Sequence, residues 1–280
     1  MISLTQFNAI FNQLTLASIT ILIIFLIFSL ILLPFLLIVI VSQLGQVAKK
    51  VLVQTLGGKS QIIVGGLGVI IHELSHTIVA LLFGHHITKL RLLNIQKNTT
   101  SLGSVEHYYN SHNLYQRMGN FFIGLAPFYG CAFCLEILQN WFFQTGFVYQ
   151  QWGMLLTSGE TIRQGMLATL VLPALKAIFV PLRGRTLGFL LLVLLISSTG
   201  FSLSNNDLRS AVKGILPLAI LCSVVGILMA WLGQTVKLVS GVWVLVNCCL
   251  LLAIKAIIFI LIALLPLLLL LLLLFIRRLF

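Results

Sequence analysis

Two histidines four residues apart and a glutamate between them lie inside one hydrophobic stretch, His72-Glu73-Leu74-Ser75-His76. On a helix, residues four apart share a face, so the imidazoles of His72 and His76 can bind one Zn2+ ion. Glu73 lies beside them, where it can act as general base on the water that the metal activates. Because ionisable residues are costly within a membrane span, they indicate function. The pattern predicts a zinc-dependent peptidase.

A catalytic zinc site needs a third protein ligand, and the candidates lie in other segments. Asp207 is the only aspartate of the chain and lies between two hydrophobic stretches. Its spacing from Ser204 also fits a capping box that opens a helix, and the sequence leaves both roles open. Glu136, a carboxylate within an apolar stretch, is the second candidate. Further candidates in a polar segment are Glu106, His107 and His112.

The composition indicates an integral membrane protein. Of 280 residues, 60% are hydrophobic and 8% are charged, whereas a soluble domain carries about 25% charged residues. Its formal net charge of +12 lies in short loops, as the positive-inside rule and anionic headgroups favour. No basic stripe with interleaved aromatics is present, which argues against nucleic acid as a partner. We expect one integral domain, residues 1–280, that crosses the cell membrane several times, with the lipid bilayer as a partner.

The hydrophobic stretches predict six or seven transmembrane helices, because a crossing needs about 20 apolar residues. The six clear stretches are about 17–42, 61–84, 119–143, 186–203, 214–232 and 241–276, and residues 165–182 are the possible seventh. The first is interpreted as a retained span, since no charged segment or small-residue cleavage site accompanies it. The last is longer than one untilted crossing, and the lack of a turn signal favours one long helix over a helical hairpin. The basic loops leave the orientation open.

A small β-hairpin is predicted in the longest polar stretch, residues 85–118. Ile87–Ile95 and Leu102–Tyr109 read as strands on either side of a turn at 96–101. His85 and His86, just before the first strand, are interpreted as solvated loop histidines. The predicted fold is therefore an all-α polytopic membrane protein with a hairpin at the membrane surface after the HExxH helix. The five cysteines form no disulfide framework and are interpreted as small apolar packing residues.

The stretch HELSHTIVALLFG, from His72 to Gly84, followed by the predicted hairpin, resembles the site-2 protease family of intramembrane zinc metalloproteases. It looks closest to the small bacterial members, and the similarity covers roughly residues 60–135. The resemblance implies His72 and His76 as zinc ligands, Glu73 as base, and an aspartate of a later span, here Asp207, as third ligand. It also implies a cytoplasmic hairpin and a membrane-associated polypeptide as substrate, cleaved within or near the bilayer.

Two elements differ from the family pattern. Gly124-Leu125-Ala126-Pro127 resembles the glycine-proline element of the following span, but Gly130 stands where the family usually has asparagine. Asp207 lies in Asn-Asn-Asp-Leu, whereas the usual motif is Leu-Asp-Gly or Asn-Pro-Asp-Gly. We further expect the edge strand at Arg91–Ile95 to hold an extended substrate through main-chain hydrogen bonds.

Two other functions remain open from the sequence. One is a non-catalytic membrane protein whose site binds metal for structure or has lost its third ligand. The other is a small transporter that passes protons or metal ions along the His/Glu cluster. The HExxH register favours the protease, because a relay needs no glutamate between the histidines, and a transporter more often shows internal repeats.

Overall fold

The computed structural model describes residues 15–94, 102–143 and 184–279, which are mostly helical. In chain order the helices and strands are α1 Leu16–Leu56, α2 Ser60–Ile63, α3 Gly66–Leu82, β1 His86–Arg91, β2 Ser104–Tyr108, α4 Leu114–Phe143, α5 Gly184–Ser197, α6 Asn205–Trp231 and α7 Thr235–Leu279. The helices pack around a core whose largest fully buried side chains are Phe128, Phe189 and Phe201.

Four of the described helices, α1, α4, α6 and α7, are long and apolar enough to cross a membrane. The HExxH helix α3 and helix α5 are apolar but shorter. The long apolar helices and the small two-stranded sheet agree with the predicted class of fold. The count of six or seven spans stays a prediction, and its possible seventh member, residues 165–182, lies outside the described residues.

The sequence predicted that the first hydrophobic stretch ends near residue 42. Helix α1 instead continues to Leu56. The polar residues that suggested a loop belong to one face of an amphipathic extension, because Val41, Gly45, Ala48 and Leu52 recur at helical spacing and are buried. Pro34 does not break the helix. Its ring would clash with a carbonyl of the preceding turn, and a π-helical turn at Phe28–Leu32 widens the helix just before it.

Helix α7 is one continuous helix of 45 residues, as expected, with a length of about 68 Å at 1.5 Å per residue. It runs parallel to α1. Near one end the rings of Phe25 and Trp243 lie 6.1 Å apart, and near the other end Gln54 and Leu271 line the same groove. The two long helices therefore lie side by side over many turns.

The predicted hairpin is present in the described residues. Strands β1 and β2 pair antiparallel, with Leu90 opposite Val105 and a bulge between Ile87 and Lys89. Pairing continues beyond the strands, since the Asn94 amide donates to the Leu102 carbonyl at 2.6 Å. The predicted turn, 96–101, lies outside the described residues.

A glycine turn joins α3 to the hairpin. Gly84 has a φ of 70°, a left-handed conformation that glycine adopts without steric cost. The amide of His85 donates to the Ala80 carbonyl, and the amide of Gly84 donates to the Leu81 carbonyl. This Schellman arrangement ends the helix and turns the chain back along it. Gly66 at the start of α3 consequently lies close to Leu93, just beyond the end of β1.

Candidate metal centre

Helix α3 presents both motif histidines to the protein interior. His72 is 9% exposed and His76 is 7% exposed. Because the two residues are one helical turn apart, their rings lie on the same face, with centroids 5.0 Å apart and edge to face. The two imidazoles thus form one half of a buried polar cluster.

Asp207, on the first turn of α6, supplies the other half. Its Oδ1 lies 3.3 Å from His76 Nε2, and its Oδ2 lies 3.6 Å from His72 Nε2. The same residue completes a capping box, because Oδ2 accepts from the Ser204 amide at 2.6 Å and Ser204 Oγ accepts from the Asp207 amide at 3.2 Å. The two roles left open by the sequence are therefore compatible: the cap fixes the carboxylate that faces the histidines.

Two backbone carbonyls fix the histidine tautomers. His72 Nδ1–H donates to the Gly200 carbonyl at 2.9 Å, and His76 Nδ1–H donates to the Ile123 carbonyl at 2.7 Å. Since a carbonyl can only accept, each Nδ1 carries a proton, and in the neutral ring each Nε2 has a free lone pair toward Asp207. An Nδ1–H that donates to a carbonyl is the usual support of a metal-binding histidine.

The donor set fits a divalent metal. One ligand atom from each of His72, His76 and Asp207 lies within 4.8 Å of the other two. In a tetrahedral zinc site with ligands at about 2.05 Å, neighbouring ligand atoms lie about 3.4 Å apart. The two carboxylate oxygens of Asp207 lie at similar distances, 3.6 and 3.3 Å, from the Nε2 atoms of His72 and His76. The group could hold a metal ion.

Glu73 lies next to this cluster but faces the hairpin. It is half-buried, and its side chain packs against Gly103, just before β2. A Cβ at Gly103 would lie 2.6 Å from Glu73 Cγ and 2.9 Å from its Oε1. The absence of a side chain at Gly103 therefore leaves the space that the carboxylate uses, a requirement with no signal in the sequence.

Close helix contacts bring the three parts of the centre together. A Cβ at Gly124 would lie 2.3 Å from the Asp207 carbonyl oxygen, so α4 and the start of α6 approach to backbone distance. A Cβ at Gly68 would lie 2.5 Å from the Ile196 carbonyl oxygen and 2.8 Å from the Gly200 nitrogen. Small residues allow such close approach, and here they carry the supporting carbonyls of Ile123 and Gly200 to the histidines.

Gly130 packs directly against the motif helix. A Cβ at this position would lie 1.8 Å from Ser75 Oγ, which itself donates to the Ile71 carbonyl at 2.6 Å. The departure from asparagine at Gly130 thus has a structural counterpart, because no larger side chain fits between α4 and Ser75. The side-chain amide that an asparagine would offer is therefore absent at Gly130.

The structure places Glu136 away from the metal centre, so its prediction as an alternative ligand is wrong. Glu136 lies on α4, 13 residues beyond Ile123, or about 20 Å along the helix. It is 2% exposed and pairs with Lys255 of α7, whose Nζ also donates to Gln139 Oε1 at 3.2 Å. Glu136 and Lys255 are opposite charges in two apolar stretches, which is a signal for such a pair.

The remaining candidate ligands also have other positions. Glu106 is exposed and accepts from Lys89 Nζ at 3.0 Å across the hairpin, and His112 is exposed. His107 donates through Nδ1 to Nδ1 of His85 at 3.0 Å, since His85 Nε2–H donates to the Gln116 carbonyl at 2.8 Å. None of these three candidates joins the group formed by His72, His76 and Asp207 among the described residues.

His85 is not the solvated loop residue that the sequence predicted. It is 2% exposed, stacks on Tyr109, and its burial lowers its pKa. Burial and the neighbouring His85 and His76 lower the pKa of His107 to about 4. The pair is therefore neutral and belongs to the packed base of the hairpin.

The chain matches no protein-family model, no curated protein and no solved structure. The resemblance to the site-2 protease family therefore rests on the residues of the motif and of its surroundings.

Proposed function

We propose that this chain is an intramembrane zinc metalloendopeptidase of the site-2 protease type, which hydrolyses peptide bonds of membrane-associated polypeptides. One observation carries the proposal: two histidines with supported Nδ1 atoms turn both Nε2 atoms toward a single aspartate, with a glutamate next to them on the same helix. A structural cluster does not require a glutamate at this position, whereas hydrolysis requires a base.

The residues that would hold the zinc ion are His72, His76 and Asp207. Two imidazoles and one carboxylate are a common ligand set of catalytic zinc, which keeps a fourth position open. When bound, the metal would supply Lewis-acid chemistry, polarising the substrate carbonyl and lowering the pKa of water at the site. The protein holds these ligands through the Gly200 and Ile123 carbonyls and the capping box of Ser204.

Glu73 takes the role of general base in this proposal. It accepts a proton from the attacking water and can return it to the leaving amine. Its position suits that role, because the carboxylate lies at the edge of the cluster, half-buried, between α3 and the hairpin. A base in this place can reach a substrate that enters along the hairpin without displacing the three ligands.

The hairpin offers a place for the substrate. The segment that precedes β2 runs past Glu73, and the hydrogen bond from Asn94 to Leu102 joins it to the chain that follows β1. An extended peptide that pairs with a free strand edge there would be held by its main chain, which suits cleavage of different sequences. The strand edge expected to hold the substrate is Arg91–Ile95, of which the structure describes the residues up to Asn94.

Metal content and cleavage, measured together, test the proposal. Purified protein in detergent is analysed for zinc and then assayed in liposomes with membrane-anchored reporter polypeptides. Wild type should bind about one zinc ion, His72→Ala should lose it, and Glu73→Gln should retain it. Loss of a general base should lower cleavage by about 100- to 10,000-fold. Glu106→Gln, an exposed glutamate of the hairpin, is the matched control and should cleave normally.

Each other outcome counts against the proposal in a defined way. Wild type without zinc would refute the metal centre and favour a proton relay or a packing cluster. Zinc bound at equal stoichiometry, with cleavage equal in wild type and Glu73→Gln, would assign the ion to structure rather than to catalysis.

A further inference from the structure

A cavity of about 580 Å3, lined mostly by polar residues, lies beside the C-terminal end of α1. The last turns of α1 form one wall, and the segment that leads into α6 forms the other. Its lining residues include Gln46, Lys49, Lys50, Gln54, Ser204 and Asn205. The cavity is separate from the group of His72, His76 and Asp207, none of which lines it.

The charge of this cavity is positive. Lys49 and Lys50 both line it, and no carboxylate is among its lining residues. Lys49 is half-buried, so its ammonium group is less hydrated than a surface lysine. Ser204 and Asn205 stand at the first turn of α6, which the Asp207 carboxylate already caps, so the positive charge of the cavity comes from the two lysines. Two ammonium groups and several amide side chains are a suitable set of donors for a phosphate oxyanion.

An apolar groove of about 400 Å3 adjoins the cavity and shares Gln54 with it. The rest of its lining comes from the leucine-rich part of α7: Leu268, Leu271, Leu272, Leu274 and Phe275. Because α1 and α7 run parallel and Gln54 lines the groove beside Leu271, Lys49 and Lys50 lie about one helical turn earlier, near the Leu268 end of the groove. A basic cavity that continues into a leucine-lined groove matches a molecule with an anionic head and a hydrocarbon chain.

We infer that this cavity and groove form a binding site for an anionic phospholipid. The headgroup phosphate lies between Lys49, Lys50 and the start of α6, and an acyl chain follows the groove along α7. Free phosphate shares the headgroup chemistry, but it would leave the groove unused. The continuity of the two spaces at Gln54 therefore favours the lipid.

The site is connected to the support of the metal centre. Leu203, in the cavity wall, accepts from Gln46 Nε2 at 3.2 Å through its carbonyl and donates its amide to Ser42 Oγ at 3.0 Å. The next residue, Ser204, caps the helix that carries Asp207. The lipid thus binds against the outer side of the segment that positions the carboxylate. The inference goes beyond the proposed peptidase and does not depend on it.

Lipid binding to the full-length protein in a neutral detergent tests the inference. Dioleoylphosphatidylglycerol and dioleoylphosphatidylcholine are titrated separately, with bound lipid counted by native mass spectrometry and unfolding followed on heating. We expect saturable binding of the anionic lipid only. Each lysine near a phosphate contributes about a fivefold affinity, so Lys49→Gln with Lys50→Gln should weaken binding about 30-fold. Lys59→Gln removes an equal charge outside the cavity and should bind like wild type.

Two further measurements keep the result decisive. Lys49→Arg with Lys50→Arg retains the charge and should retain binding, which separates a lost contact from a misfolded protein. Glycerol phosphate carries the headgroup charge without acyl chains and should compete at least tenfold more weakly than the lipid. Equal binding of both lipids, unchanged affinity in the glutamine double variant, or equal competition by glycerol phosphate would each overturn the assignment of an anionic phospholipid.

Discussion

The double role of Asp207, as helix cap and as proposed ligand, can be separated with two substitutions. Asp207→Asn keeps a side-chain oxygen that can accept from the Ser204 amide but removes the anionic ligand. Ser204→Ala keeps the ligand but removes the oxygen that accepts from the Asp207 amide. Ser204→Ala should lower stability without zinc but keep part of the stabilisation by zinc, whereas Asp207→Asn should lose only the stabilisation by zinc.

The expected sizes follow from the contacts. Without metal, Ser204→Ala should be less stable than wild type by about 1 kcal/mol, the usual value of an N-cap, and Asp207→Asn should be close to wild type. With free zinc at 100 times the wild-type Kd, wild type should gain about 2.7 kcal/mol. A lost supporting contact weakens metal affinity by about 10- to 100-fold, so Ser204→Ala should gain only about 0.4 to 1.4 kcal/mol. Asp207→Asn should gain almost nothing.

Thermal unfolding in detergent, with chelator or with buffered zinc, measures both quantities on one preparation. Asn206→Ala, a substitution of the neighbouring residue on the same helical turn, is the control and should behave like wild type in both buffers. If Asp207→Asn gains as much stability from zinc as wild type does, the carboxylate is only a cap and the reasoning about the third ligand is refuted.

Three more predictions follow from the described contacts. Gly103→Ala should lower cleavage about 100-fold while zinc content stays unchanged, because displacement of Glu73 by about 1 Å misplaces the base; zinc analysis and reporter cleavage measure this. Glu136→Leu or Lys255→Met alone should cost about 3 to 5 kcal/mol, since each leaves a buried charge, and the double variant should recover most of it in thermal unfolding. Stability should fall as pH decreases from about 6.5 toward 4, because the lowered pKa of His107 makes the unfolded chain bind more protons; His107→Gln should weaken this dependence in unfolding scans.

Specific results would contradict each of these predictions. Normal cleavage by Gly103→Ala would mean that Glu73 has other space to occupy. A double variant of Glu136 and Lys255 as unstable as the single ones would show that the pair is not the main interaction at this place. An identical pH dependence in wild type and His107→Gln would assign the acid sensitivity to other groups.

The helical motif was the most predictable part of the site. His72, Glu73 and His76 follow from spacing along one helix, which is a local property of the sequence. Asp207 was recognisable as the only aspartate, and the capping box with Ser204 was visible from three-residue spacing. These features can be predicted because they depend only on residues that are close together in the chain.

The supporting contacts were not predictable, because they join distant segments. The carbonyls of Gly200 and Ile123 carry no side-chain signal, and any residue could offer them. The fit of Gly130 against Ser75 depends on how closely α4 and α3 approach. The opposite charges of Glu136 and Lys255 in apolar stretches suggest a pair, but their contact depends on α7 packing on α4 at this height.

The first helix shows how a polar pattern can be misread. Residues after 42 contain lysines and glutamines, which suggested a loop, but the buried positions Gly45, Ala48 and Leu52 follow helical spacing. The spacing of these buried residues therefore predicts the amphipathic extension, whereas the polar composition of the segment suggests a loop. The hairpin could be predicted because apolar and polar residues alternate along its strands with a period of two.

The contact between His72 and the Gly200 carbonyl has a consequence for the biogenesis of the protein. The carbonyl lies 128 residues after the histidine in the chain, and a ribosome that adds about 5 to 20 residues per second needs about 6 to 26 s to reach it. During that interval the motif helix has neither its supporting carbonyl nor Asp207. The complete group of His72, His76 and Asp207 can therefore form only after the later helices have been inserted, so a metal ion that binds it would be loaded late in the maturation of the protein.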